Sequence, residues 1–235
     1  MAQEVILCIG DLHFPHQHPD SLIFIEAVTD LFKPTKFVLL GDEVDNHCIS
    51  FHDTSPDIAY SPSTELEAAI EKMKHLYDII GKDAVVLESN HSSLVYRRQR
   101  HEGLPRSVFR DWSDILEAPS GWRWTLEYFH ELPDGRTIYF HHGKSKAIMK
   151  TGKTVGCCSV QAHFHSCMSV NYWNCGHQTL WQAQVGCLTD EKHLAMDYGK
   201  NFLDKGVLGC LVVVDGTPII IPMTVDSNNR WNRSI

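Results

Sequence analysis

Short, unbroken apolar runs that stop at a glycine or a polar cluster set the rhythm of the first half of the chain. Val5-Ile6-Leu7-Cys8-Ile9 ends at Gly10-Asp11, Phe37-Val38-Leu39-Leu40 at Gly41-Asp42, and Ala84-Val85-Val86-Leu87 at Glu88-Ser89-Asn90-His91. Apolar runs without alternation suit strands buried on both faces. Two segments of helical period lie between them. The first starts at Asp20 or Ser21, carries Leu22, Ile25, Ala27, Val28 and Leu31, and stops before Pro34. The second runs from about Ser63, as the cap, to Ile80, with Leu66, Ala69, Ile70, Met73 and Leu76-Tyr77 at its apolar positions. The order β-α-β-α-β predicts parallel strands joined by crossover helices.

The second half changes character. Strands are predicted over 137–141, 159–162, 180–185, 207–214 and 219–222, with Asp215-Gly216-Thr217-Pro218 as a hairpin turn. This reads as a second, largely antiparallel sheet. No internal repeat, low-complexity tract or Pro/Gly/Ser linker interrupts the chain. The expectation is one domain over residues 1–235, made of two packed sheets and without a separate capping domain.

Composition narrows the function classes. The chain has 235 residues, 43% apolar and 21% charged, ordinary values for a globular protein. No apolar run approaches the ~18 residues that span a bilayer, and the N-terminus enters its first strand without a leader pattern. A cytoplasmic protein with no membrane partner is expected (the host's cytoplasm if a phage encodes it). Eight cysteines without a Cys-x-x-Cys pair predict reduced, mostly buried thiols rather than disulfides or a zinc ribbon. The net charge of −8 weighs mildly against a nucleic-acid binder, although metal would neutralise several of the carboxylates discussed below.

Fifteen histidines are the compositional outlier, and their placement gives them meaning. The first three strands end in Gly10-Asp11-Leu12-His13, Gly41-Asp42-Glu43-Val44-Asp45 and Asn90-His91; two later ones end in His141-His142-Gly143 and Ala162-His163-Phe164-His165. An Asp after a strand-end Gly is by itself usually a turn residue. Ordered repetition at the carboxyl ends of strands, where α/β sheets bind their ligands, points instead to one convergent site. His163 and His165, at alternate positions, are expected to point from one face of an extended segment. Two carboxylates, one amide and four imidazoles exceed the needs of one tetrahedral ion and suit a pair sharing a carboxylate.

The motifs Asp-x-His, Gly-Asp-x-x-Asp, Asn-His, His-Gly and His-x-His, running in this order from Asp11 to His165, resemble those of the calcineurin-like metallophosphoesterase superfamily. The resemblance implies an α/β fold, a four-layer α/β/β/α sandwich of two mixed β-sheets flanked by helices. It implies two divalent metal ions, with manganese favoured over iron, zinc, nickel or magnesium. Asp11, His13 and His165 would hold one, Asn90, His142 and His163 the other, and Asp42 would bridge them. His142 is preferred to His141 because the family's ligand directly precedes the Gly. His91 would protonate the leaving oxygen, with Asp45 orienting it, after in-line attack by a hydroxide between the ions. Two motifs depart from the family pattern: Ser89 and Ser92 flank Asn90-His91, and Ala162 stands where a Gly usually precedes His163. Phe14 after His13 and Asn46-His47 after Asp45 argue against the serine/threonine protein phosphatase branch.

Substrate is read from what surrounds these motifs. Arg97, Arg98, Arg100, Arg106 and Arg110 follow Asn-His, and Lys144, Lys146, Lys150 and Lys153 follow His-Gly. Arg97, Arg98 and Lys144 are the candidate substrate contacts, on a basic rim that would guide a polyanion. The leading expectation is a phosphodiesterase acting on nucleic acid or a nucleotide, resembling the exonuclease-like branch. A phosphomonoesterase and a non-enzymatic protein-binding scaffold are the alternatives. Trp112, Trp122 and Trp124 are expected to pack in a core or lid rather than to stack bases. His16, His18, His47 and His52 are expected to be surface loop residues rather than phosphate contacts. Gly152-Lys153-Thr154 ends like a phosphate loop, but Ala147 occupies the position of that motif's first Gly.

Overall fold

The computed structural model describes residues 3–51, 59–147, 149–190 and 204–235. The first half forms as its apolar pattern predicts. Strands β1 (Val5–Ile9), β2 (Lys36–Leu39) and β3 (Asp83–Leu87) alternate with helices α1 (Ser21–Phe32) and α2 (Pro62–Ile80). All three strands are parallel neighbours. The cap of helix α2 lies two residues before the expected one, because Ser61 and Thr64 bond reciprocally and Pro62 occupies the first helical position. Beyond β3 come α3 (Ser93–His101), the single turn α4 (Trp112–Ile115) and strand β4 (Gly121–Thr125), which pairs parallel to β3.

The remaining strands are β5 (Tyr128–Glu131), β6 (Thr137–His141), β7 (Cys158–Gln161), β8 (Met168–Asn174), β9 (Thr179–Val185), β10 (Gly209–Val214) and β11 (Thr217–Pro222), with helix α5 (Lys150–Val155) between β6 and β7. They do not form the largely antiparallel sheet expected. The β10–β11 hairpin leaves the second half and adds antiparallel to β1, giving a first sheet of order β11-β10-β1-β2-β3-β4. The second sheet, β5-β6-β7-β9-β8, is mixed: β6-β7 and β7-β9 are parallel, and only its edge strands run antiparallel.

Side-chain alternation sorts the strands' residues into two cores. Ile6, Cys8, Val38, Leu40, Val85 and Leu87 face Phe140, Val160, Ala183 and Val185 between the sheets. Leu7, Ile9, Leu39 and Val86 face Phe24, Ile25 and Val28 of α1 and Met73 and Leu76 of α2. On the far side of the second sheet α5 packs on β7 and β9. There Gly152 leaves no room for a side chain, since a Cβ would stand 2.6 Å from Trp173 and 3.1 Å from the Ser159 hydroxyl. The Gly of the apparent phosphate loop is therefore a packing residue. Two mixed sheets flanked by helices result. Five of the eight cysteines are buried, and none forms a disulfide. Among the described residues no helix is long and apolar enough to cross a membrane.

Candidate metal centre

The motif loops follow β1, β2, β3, β6 and β7, so all five leave the carboxyl ends of parallel strands, three adjacent in one sheet and two in the other. Their backbone is unusual. Asp11, His13, Asp42 and His163 have φ of 51, 52, 50 and 68°, in the left-handed region that costs a non-glycine residue about 1–3 kcal/mol. Bonds between loops hold this shape: His13 N–H donates to the Asp42 carbonyl at 2.8 Å, Phe14 to Glu43 at 2.9 Å, and Asp45 back to Phe14 at 3.0 Å. Gly41 is needed where it stands. Its φ is +96°, and a Cβ would lie 2.8 Å from the His142 ring and 2.9 Å from the Leu87 carbonyl.

The two departures from the family pattern have local reasons. Ala162 is accommodated because Gly10 faces it; a Cβ on residue 10 would come within 2.6 Å of the Ala162 methyl. Ser89 and Ser92 bond reciprocally, Ser89 N–H to Ser92 Oγ at 2.8 Å and Ser92 N–H to Ser89 Oγ at 3.1 Å. That pair closes the loop carrying Asn90 and His91 onto the start of α3.

Donor atoms gather in two groups that share one carboxylate. Asp11, His13, Asp42 and His165 form the first, and Asp42, His142 and His163 the second. Asp42 Oδ2 lies 3.6 Å from His13 Nε2 and 3.2 Å from His142 Nε2, so the same oxygen faces both. His142 Nε2 is also 2.7 Å from Asn90 Oδ1 and 3.1 Å from His163 Nδ1, which brings the amide into the second group. His13 and His165 present their Nε2 atoms to each other at 3.3 Å. The extended geometry expected for 163–165 is absent. The bend at His163, whose N–H donates to Asp11 Oδ2 at 2.8 Å, sends His163 to one group and His165 to the other.

The donors' protons decide which lone pairs face the centre of each group. His13 Nδ1 donates to Asp45 Oδ1 at 2.5 Å, and His142 Nδ1 donates to the Leu40 carbonyl at 2.7 Å. In each neutral ring that leaves Nε2 as a bare lone pair aimed at other acceptors. Asp11 Oδ1 is buried with no hydrogen-bond partner. Burial disfavours the charge on Asp42, yet His142 and His91 outweigh that and hold its carboxyl well below the usual range. Burial likewise pulls His142 down, but Asp42 and Asp11 raise it to about 9. The buried carboxylates thus draw positive charge toward these rings. A cation at each group would satisfy the same lone pairs, and the nitrogen and oxygen donors fit divalent transition metals.

His91 stands beside these groups. Its Nδ1 is hydrogen-bonded to the Asp45 backbone carbonyl and lies 3.3 Å from Asp45 Oδ1. A carbonyl only accepts, so Nδ1 carries the proton and Nε2 is left for other chemistry. Burial would lower its pKa, but the Asp42 and Asp45 charges outweigh that and raise it. Asp45 therefore touches both His13 and His91, and it meets the ligand candidate through its carboxylate and His91 chiefly through its main chain.

Residues farther out behave less as the sequence suggests. Arg97 donates to the Asn90 carbonyl at 2.7 Å. Arg98 donates to the Ile49 and Ser50 carbonyls, and its guanidinium lies 3.9 Å from the centre of the Phe51 ring. Lys144 pairs with Glu127 at 3.0 Å. All three brace loops around the site. His16, His18 and His47 are buried, not surface residues, and His52 lies outside the described residues. His141 points away from the cluster, as strand alternation requires, and lies 4.9 Å from the Tyr139 ring, with burial lowering its pKa to about 4.

Two carboxylates went unmarked in the sequence. Glu65 on α2 accepts from the His47 and Cys48 N–H groups at 2.7 and 2.9 Å and lies 3.3 Å from His16 Nε2, forming a further His16–Asp45–Glu65 group. Its spacing to Ala69 and Met73 places it on the helix's buried stripe, and that was the available signal. Glu43 accepts from the indole N–H groups of Trp112 and Trp124 at 2.9 and 3.0 Å. It occupies an unspecified position of its motif, so nothing in the pattern marked it.

No family profile and no curated protein sequence matches the chain. Solved structures do. Vps29 from Chaetomium thermophilum superposes with a TM-score of 0.50 at 13% identity, over 97% of this chain and 93% of that one. Vps29 from Cryptosporidium parvum gives 0.45 at 13% identity, over 93% and 96%. YfcE, a phosphoesterase from E. coli, gives 0.43 at 12% identity, over 92% and 96%. At such identities the likeness to the Chaetomium protein is one of fold, and that fold is the pair of mixed sheets flanked by helices that the motif order implied.

Proposed function

We propose that the chain is a metal-dependent phosphoesterase that hydrolyses phosphodiester bonds, with nucleic acid as the substrate class. The observation that carries this reading is the single oxygen, Asp42 Oδ2, facing two donor groups at once. Asp11, His13 and His165 would hold one divalent ion and Asn90, His142 and His163 the other, with Asp42 common to both. Such a pair, when bound, polarises the phosphoryl oxygens and supplies a nucleophile at neutral pH. The chain's own residues do the rest. His91, outside both groups and anchored through Nδ1, would in its imidazolium form give the Nε2 proton to the departing oxygen. Asp45 fixes the tautomers of His13 and His91 together, and Arg97 and Arg98 hold the loops that carry Asn90 and His47–Ile49.

The test is a substrate panel. The protein with Mn²⁺ is offered p-nitrophenyl phosphate, bis-p-nitrophenyl phosphate, single- and double-stranded DNA, and a phosphopeptide. Turnover of the diester and DNA well above the monoester is the expected result. Preference for the monoester or phosphopeptide would replace the reading with a phosphomonoesterase. Two metals bound with no turnover would leave a scaffold.

Asp45→Asn separates its two contacts. The backbone carbonyl that holds His91 survives, whereas the charge on His13 Nδ1 goes. Removing such a partner of a metal-binding imidazole lowers metal affinity by about 10–100-fold. Calorimetric titration with Mn²⁺ should show that drop; unchanged affinity with reduced turnover would mean that Asp45 acts through His91 alone.

A further inference from the structure

Next to the His91 loop lies a cleft of about 420 Å³, lined in part by Glu88 and Ser92 from the segment that carries Asn90 and His91. Trp112 and Trp124 line it too. Their indole N–H groups are both tied to Glu43, the residue after Asp42, so the cleft's aromatic lining and the candidate metal centre are fixed by one loop. Tyr96 and Phe109, also in the lining, are exposed. The Arg106 guanidinium lies 5.8 Å from the centre of the Tyr96 ring.

Charge distinguishes this cleft from the rest of the chain. Arg106, Arg110 and Arg123 meet only Glu88 and Asp111 among its lining residues, in a protein of net charge −8. The Arg106–Asp111 pair, at 3.0 Å, is exposed and so is cheaply exchanged for another anion. Arg110 uses one N–H on the Asp114 carbonyl, out of the five that a guanidinium offers. Flat aromatic rings beside arginines suit an unstacked base and its phosphate. The volume falls in the ~300–1,000 Å³ range of small-ligand sites, room for one nucleotide.

We propose that this cleft holds one nucleotide of a single-stranded nucleic acid, its base against the aromatic side chains and its phosphate on Arg106 and Arg110, beside the bond to be cut. The proposal rests on the phosphodiesterase reading above and deepens it by naming single strands as the form that fits.

The experiment is a binding titration of the 235-residue chain with a fluorescein-labelled single-stranded oligo(dT), in EDTA so that turnover cannot consume the probe. Arg106→Ala/Arg110→Ala should weaken binding at least tenfold. The slope of log affinity against log salt should become shallower by about 1.4, two phosphate contacts at ~0.7 each on a single strand. Tyr96→Ala should weaken binding to a similar degree and leave that slope in place. Circular dichroism checks that each variant is folded. Unchanged affinity in the folded double variant, weaker binding with an unchanged slope, or tighter binding of a phosphotyrosine peptide than of oligo(dT) would each overturn the proposal. Failure of the phosphodiesterase reading is visible separately, as absence of metal-dependent diester turnover by the unmodified protein while oligo(dT) still binds.

Discussion

His91→Ala is expected to keep both metals and lose turnover by about 10²–10⁴-fold, the usual contribution of a positioned general acid. The argument is geometric. His91 contributes to neither of the two donor groups that share Asp42, and its Nδ1 is committed to the Asp45 carbonyl. Its remaining nitrogen can therefore serve a leaving oxygen. The loss should depend on that oxygen. p-Nitrophenolate leaves readily without a proton, whereas a sugar alkoxide does not, so the defect should be larger on DNA than on bis-p-nitrophenyl phosphate. Elemental analysis of the variant supplies the control. An equal loss on both substrates with metal retained would remove the acid role, and a loss of metal would place His91 among the ligands.

The sequence made some parts of this molecule legible and not others, and the reason is the range of the interactions involved. Unbroken apolar runs report burial on both faces directly, so β1 to β3 were readable within a residue or two of their ends. Strands β4, β5 and β8 were not. Their residues, such as Arg123-Trp124 and Ser169-Val170-Asn171, are at least partly exposed and mix charge or amide groups with aromatic and aliphatic side chains. The departure of β10 and β11 to the first sheet is set by pairing with β1, some 200 residues away along the chain, which no local pattern encodes.

At the candidate centre the motif spacing singled out the side chains that the structure brings together, because loop residues at strand ends are placed by the sheet itself. It did not tell which imidazole goes where. The divergence of His163 from His165 depends on a left-handed residue held by Asp11 across the sheet interface. Nor did it separate the arginines that hold the site's loops from those that border the cleft. Arg98 is engaged by carbonyls about fifty positions earlier in the chain, whereas Arg106, less conspicuous in sequence, borders the cleft.

Asp42→Ala should lose both metals, whereas His165→Ala should lose only the ion of its own group. The difference follows from Asp42 Oδ2 lying against His13 at 3.6 Å and His142 at 3.2 Å, while His165 belongs to one group alone. Turnover of Asp42→Ala should fall by 10³-fold or more, since the charge stabilisation from such ions is worth several kcal/mol at 1.36 kcal/mol per factor of ten. A second readout is independent of catalysis. Ions that bind only the folded state raise its stability by RT ln(1 + [L]/Kd), so Mn²⁺ should raise the melting temperature of the unmodified protein and barely move that of Asp42→Ala. Asp42→Asn keeps the shape and removes the charge, and it should behave like Asp42→Ala if the shared anion is what gathers the ions. Two metals per chain in a folded Asp42→Ala, by elemental analysis, would end the bridging assignment. One metal per chain would instead show that one donor group is self-sufficient, which its three remaining donors, Asn90, His142 and His163 or Asp11, His13 and His165, would have to explain.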